Sequence, residues 1–276
     1  MKIWIALLAV ASFPANAMEL TGNFVQGGLV VGQTTPDAVV TLDDTPVDVA
    51  DNGAFVVGFG RDAKPRSVVT VQQPGGAPDI HVLAIKAQTY NVQRIDGLAP
   101  GKVTPRPEDS ARIQSDNAKI WDVRAMMTGT ARFLSGFEWP VKGPLSGVFG
   151  SQRILNGIPK RSHNGVDIAA PKGAVITAPA DGVVVLAEQD MFYTGKTVMI
   201  DHGLGLTTVY AHMDDISVIA GEVLKQGDAL GRVGQSGRVT GPHLHWGMTW
   251  KGVYLDPQQA TGPMPRGAWS STPAKH

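Results

Sequence analysis

From Leu20 to about Val92 the chain keeps returning to short runs rich in Val, Ile and Thr, each stopped by Gly, Pro, Asn or Asp: GGLVVGQ, AVVTLDD, GAFVVGFG, SVVTVQQ and HVLAIKA. Runs of this kind, punctuated in this way, predict antiparallel strands joined by tight turns. The DNG at 51–53 is the clearest hairpin signal. This region reads as a small β-sandwich. Strand-like segments return between Phe137 and about Gly262, among them AVITAPADGVVVLAEQ, KTVMIDHG, LTTVYAHM and HLHWGMTW. The chain is therefore predicted to be mainly β, in two parts.

What joins the parts has a different texture. GLAPGKVTPRPED at 97–109 is punctuated by proline and reads as a linker. The stretch EDSARIQSDNAKIWDVRAMM that follows carries acids in its first turn and apolar residues at Ile113, Ile120, Trp121 and Met127, which fits an amphipathic helix. At the other extreme, MKIWIALLAVASFPANA has one basic residue, an apolar run from Ile3 to Phe13 and a small-x-small ending, the pattern of a cleavable secretory signal. The expected organisation is a signal over 1–17, an accessory β-sandwich over 18–103, a linker and helix over 104–136, a second β domain over 137–262, and a flexible tail over 263–276.

Composition narrows the function. The 276 residues, 43% of them hydrophobic, suffice for proper cores without staples, and there is no cysteine, so any metal site must be built from His, Asp or Glu. Basic and acidic residues balance at 24 each, which gives no sign of a nucleic-acid partner. No later stretch approaches the length of a membrane-spanning helix, so no span is expected once the signal is cleaved.

The histidines are unevenly spent. TGPHLHW at 240–246 places His243 and His245 two apart on a predicted strand. Residues so spaced share a face, roughly 6.6 Å apart, while Leu244 points into the core. In SHNGVDIAAP, His163 and Asp167 flank an Asn-Gly turn, and in TVYAHM Tyr210 and His212 again stand two apart. Four histidines and one aspartate thus recur at strand ends of one domain. Imidazole and carboxylate donors suit zinc, and three protein ligands plus a water is the pattern of a catalytic site. Taken singly, each of these motifs is equally well a hydrogen-bonded pair or a turn.

Three blocks, HNGVDIAAPKGAVITAPADGVVV, IDHGLGLTTVYAHM and GQSGRVTGPHLHW, resemble in order and spacing the signatures of the LytM/lysostaphin-type zinc endopeptidases that cut peptidoglycan. The preceding GPLSGVFGSQR resembles the segment that enters that domain. The resemblance implies a LytM-type antiparallel β-sheet catalytic domain holding one zinc ion through His163, Asp167 and His245, with His212 and His243 as the unbound catalytic pair. Arg153 and Asn156, in the loop leading to His163, are candidate substrate contacts against a plain surface role, and Tyr210 is expected to be half core, half groove wall. His202 matches a position that supports the fold. Many relatives carry glutamate where this chain has Gly247.

With the signal, the resemblance implies an exported, periplasmic enzyme of a Gram-negative bacterium that cleaves D-alanyl-diaminopimelate bonds, with peptidoglycan as its partner and room for a regulatory protein. The alternatives are a non-catalytic LytM-like scaffold that activates a cell-wall amidase, and a bacteriolytic enzyme aimed at glycine bridges.

Overall fold

The computed structural model describes residues 18–97, 100–126 and 128–265, so the signal segment and most of the predicted tail lie outside it. The early β-branched runs form two antiparallel sheets. One orders Glu19–Gly22, Leu29–Gln33 and Ala54–Gly58, and the other orders Thr45–Val47, Val39–Leu42, Arg66–Gln72 and Pro78–Ala84. Period-two alternation sends Ser67, Val69 and Val71 inward while Val68, Thr70 and Gln72 stay half-buried and Arg66 is exposed. The DNG segment turns the chain back on itself, with Gly53 N–H donating to Ala50 O at 2.8 Å and Val49 bridging Phe55.

Ala54–Gly58 is buried at every residue, because its surroundings include the C-terminal half of the chain. Its core also takes in Leu204, Leu206, Met248, Trp250 and Leu255. A Cβ on Gly58 would stand 2.8 Å from the Leu255 methyls, so only a glycine lets the sandwich lie this close. The two parts therefore share one apolar cluster.

The C-terminal half is built on one large antiparallel sheet. Its main path runs Val223–Leu224, Gly182–Met191, Gly195–Gly203, Leu206–Ile216, Leu244–Trp250, Val166–Ile168 and Leu145–Gly147. A second core, with Trp139, Ile168, Ile200, Tyr210, Leu244 and Trp246 among its members, backs the strands that carry the histidines.

The helix forms over Ser110–Ala125 and lies against strand Gly182–Met191. Its inward residues are Val123 and Ile120, which pack with Leu186, Met191 and Met199. Trp121 is 55% exposed instead of core-facing, and Met127 lies outside the described residues. Polar anchors complete the seat: Asp116 accepts from Phe192 N–H at 2.7 Å and Lys119 pairs with Glu188 at 2.7 Å. Among the described residues no helix is long and apolar enough to cross a membrane.

One strand crosses between the parts. Val92–Ile95, which follows the sandwich, pairs in parallel with Gln152–Leu155, and the latter pairs antiparallel with Ile158–Pro159. The segment leading to His163 is thus held by backbone from the accessory region.

Candidate metal centre and groove

Register does most of the assembly. Val166–Ile168 pairs with Leu244–Trp250 so that Asp167 stands directly opposite His245, and their side chains meet with His245 Nδ1 2.8 Å from Asp167 Oδ1. His163 comes from the loop just before, fixed by its own N–H to Ser151 O at 2.9 Å and by Gly150 N–H to its carbonyl at 2.8 Å. The His163 Nδ1–H donates to Val148 O at 3.2 Å, which leaves the Nε2 lone pair aimed at Asp167 Oδ1 and at His245 Nδ1, each 3.0 Å away.

Three donor atoms facing one point at 2.8–3.0 Å fit a shared cation. Ligands about 2.0–2.1 Å from a tetrahedral zinc lie only about 3.3 Å from each other. His163, Asp167 and His245 form the one His/Asp/Glu group among the described residues whose ligand atoms converge in this way. Burial pushes His163 down to about 4, against the pull of Asp167. For Asp167 burial alone would raise the carboxyl, but hydrogen bonds from His163 and His245 outweigh it and hold it well below the usual carboxylate range.

His212 reaches the site by breaking the strand's alternation. Ala211 pairs with His245 and Tyr210 with Trp246, so Tyr210 faces the core and His212 should follow it there. Instead His212 has φ of 64°, a left-handed conformation costly for a non-glycine residue, and its ring turns to lie 5.0 Å from that of His243. Tyr210, expected to form part of the groove wall, is instead fully buried with its hydroxyl bonded to Thr208 at 2.8 Å, because residues 210 and 212 no longer share a face. His212 and His243 are both oriented by backbone: Nδ1–H of His212 donates to Ser236 O and that of His243 to Gly241 O, each at 2.9 Å. Burial, then the neighbouring His245 and His243, lowers His212 to about 3.

Around these groups lies a groove of about 190 Å³. Arg153 lines it, with Nη2 2.9 Å from Asp167 Oδ2 and Nε donating to Gln93 Oε1 at 3.2 Å. Gln93 and Ile95 come from the crossing strand, and Arg238 from the loop before His243; sequence reasoning had singled out none of the three. Asn156 has φ of 47° in the turn between Gln152–Leu155 and Ile158–Pro159, and it lines a separate hollow with Thr104 and Ile158. Gly147 also escaped notice: a Cβ there would sit 2.3 Å from Asp167 Oδ2, so the edge strand can approach the carboxylate only as glycine. At Gly247 a Cβ would meet Val209 at 2.9 Å and Asn164 O at 3.1 Å, which leaves no room for a glutamate there.

Residues 161–257, which contain the four clustered histidines and Asp167, match the model of peptidase family M23. A solved structure described as a putative peptidase M23 from Pseudomonas aeruginosa aligns over 86% of this chain and 95% of its own, with 30% identity and a TM-score of 0.66. The chain belongs to peptidase family M23. Curated relatives include the DD-carboxypeptidase/endopeptidase Mpg of Neisseria meningitidis serogroup B, 41% identical over 38% of this chain and 24% of that protein. The peptidoglycan DD-endopeptidase ShyA of Vibrio cholerae is 38% identical over 45% of this chain and 28% of that protein. This M23 chain thus spans about a quarter of the length of these relatives.

Proposed function

We propose that this chain is an exported zinc metalloendopeptidase that hydrolyses peptide cross-links or stems of peptidoglycan, cutting D-alanyl-diaminopimelate bonds in the periplasm of a Gram-negative bacterium. The observation that carries the reading is the convergence of His163, Asp167 and His245 on one point, with His212 and His243 beside it in an open groove. The named activities of the M23 relatives supply the substrate class. In this reading residues 137–262 are the peptidase unit, 18–103 an accessory unit that also lends it a strand, and 1–17 an export signal.

His163 and His245 through single ring nitrogens, and Asp167 through Oδ1, would hold the zinc. Lewis acidity is what the ion supplies when bound, polarising the scissile carbonyl and making water nucleophilic near neutral pH. The remaining chemistry belongs to side chains. With Nδ1–H of His212 and His243 committed to backbone carbonyls, each Nε2 is left as the proton-handling atom. Burial disfavours the imidazolium of His212, so at physiological pH the ring is neutral and its Nε2 can accept a hydrogen bond from the attacking water. Between them the two imidazoles take a proton from the attacking water and return one to the leaving nitrogen. Arg153 keeps the second oxygen of Asp167 occupied, so that only Oδ1 turns toward the shared point.

The test is mass spectrometry of fragments released from purified sacculi by the protein and by His245→Ala, with zinc content measured on both. Conversion of cross-linked dimers to monomers by the intact protein alone supports the reading, and the masses name the bond. Zinc-loaded protein that leaves dimers intact refutes it.

A further inference from the structure

Arg153 is a long side chain held in one geometry by two acceptors. Its side chain is 26% exposed, with Nη2 donating to Asp167 Oδ2 at 2.9 Å and Nε donating to Gln93 Oε1 at 3.2 Å. Nε and Nη2 lie on one edge of the planar fork, so the two bonds together set its rotation as well as its place. A single bond to Asp167 would leave the fork free to swing about it.

Backbone pairing delivers the second acceptor. Val92–Ile95 runs parallel to Gln152–Leu155 in a register that sets Gln93 beside Arg153. Main-chain bonds close that register at both ends, from Gln152 N–H to Asn91 O and from Asn156 N–H to Ile95 O, each at 2.9 Å. Along the strand Val92 and Arg94 are exposed, whereas Gln93 and Ile95 are half-buried and line the groove. The segment that follows the sandwich thus presents one neutral acceptor to the Nε of Arg153.

The consequence falls on Asp167. A catalytic zinc with three protein ligands keeps its fourth position for water, which requires the carboxylate to give one oxygen and not two. His163 and His245 both meet Oδ1, at 3.0 and 2.8 Å, while Arg153 engages Oδ2. Resting on the zinc-peptidase reading, we propose that Gln93 is a positioning residue of the metal centre, acting through Arg153 to keep Asp167 a one-oxygen ligand. The accessory region is then a working part of the centre and not only its neighbour. Gln93 is neutral, so replacing it with leucine leaves the charge of the site unaltered, and a changed metal affinity reports orientation.

The experiment is a double-mutant cycle read as zinc affinity by chelator competition, on the wild type, Gln93→Leu, Arg153→Met and the double variant. Loss of a group that orients a ligand costs about 10–100-fold in affinity, and Gln93, one contact further out, should cost about three- to tenfold. In the Arg153→Met background the same substitution should change affinity by less than about twofold, because nothing is left for Gln93 to position. A general weakening of the strand would instead lower affinity equally in both backgrounds. That result, or an unchanged affinity in Gln93→Leu, overturns the assignment while leaving the zinc-peptidase reading intact. A wild type that binds no zinc overturns both. Should Gln93→Leu not fold, Gln93→Thr decides by the same comparison, since threonine suits a strand but is too short to reach Nε.

Discussion

His202 offers a quantitative test of which histidines serve the fold. It is fully buried, donates from Nδ1 to Asp181 O at 2.7 Å and accepts at Nε2 from Thr208 at 2.8 Å, so the neutral ring is completely satisfied. Phe137 packs edge-on at 5.2 Å, and the charged groups that act on the ring are Asp181, which favours protonation, and Arg132, which opposes it. Burial dominates and lowers the group from 6.5 to about 4. Because the folded value lies below the unfolded one, the stability this residue contributes is fully present above about pH 6.5 and is lost as pH falls toward 4. The loss is about 2 kcal/mol at pH 5 and roughly 3 kcal/mol at pH 4. His163 and His212 titrate in the same direction, so the measurement must be a difference. Urea unfolding of the wild type and of His202→Gln, followed by tryptophan fluorescence at pH 7 and pH 5, cancels their contribution. The gap between the two proteins should shrink, or reverse, by about 2 kcal/mol between those pH values. A gap that stays constant within 0.5 kcal/mol or so would refute the reasoning, since His202 would then protonate as readily folded as unfolded.

Further expectations concern the metal and the joint between the parts. His245→Ala should lose both zinc and activity, whereas His212→Ala should keep zinc and lose about 10²–10⁴ in rate; a metal-free His212→Ala protein would break this division of roles. Gly147→Ala drives a methyl onto Asp167 Oδ2 and should weaken zinc binding about ten- to a hundredfold by chelator competition, with unaltered affinity counting against the site as drawn. Leu255→Ala removes a side chain buried where sandwich and peptidase sheet meet and should cost about 2–5 kcal/mol in urea unfolding; a cost under 1 kcal/mol or so would mean the shared core carries little. A fragment beginning near Phe137 strips the Val92–Ile95 strand and uncovers Trp250 and Leu255, so it should be less soluble and less active on sacculi than the chain from Met18. Equal solubility and activity would show that the peptidase unit stands alone.

Much of the site was legible because its chemistry is written in short local blocks. His243 and His245 do share a face, with Leu244 in the core between them, as strand periodicity requires. The helix over Ser110–Ala125 was legible from the proline-punctuated segment before it, but Glu108 and Asp109, expected in its first turn, lie instead in the 3-10 turn Pro107–Asp109 that precedes it. The same periodicity misled at Tyr210, because one left-handed residue at His212 rotates the end of the strand and no sequence pattern announces it. Trp121, one of the apolar residues that suggested an amphipathic helix, is exposed, with the Arg124 guanidinium 5.7 Å from its ring. Arg238 and Tyr193 meet across 45 positions through a stack that leaves no periodic trace.

The crossing strand was the least legible element, and the reason is physical. Parallel strands are ordinarily recognised as buried apolar runs, but Val92–Ile95 alternates exposed and half-buried positions, and its partner is equally modest. Its place is fixed from outside. Arg61 of the sandwich donates to Gly150 O at 2.7 Å and stacks 4.5 Å over Tyr90, and Tyr90 meets Phe149 edge-on at 6.3 Å. Gly150 in turn donates to the carbonyl of His163. Two residues past Tyr90 the strand begins, and its Gln93 accepts from Arg153, whose guanidinium also donates to Asp167. Each link is a contact between segments far apart in sequence, so none can be read from a local window. Together they place the sandwich two contacts away from His163, a residue of the candidate metal centre. The strand that keeps Arg153 on Asp167, through its pairing and the Gln93 side chain, thus lies outside residues 137–262.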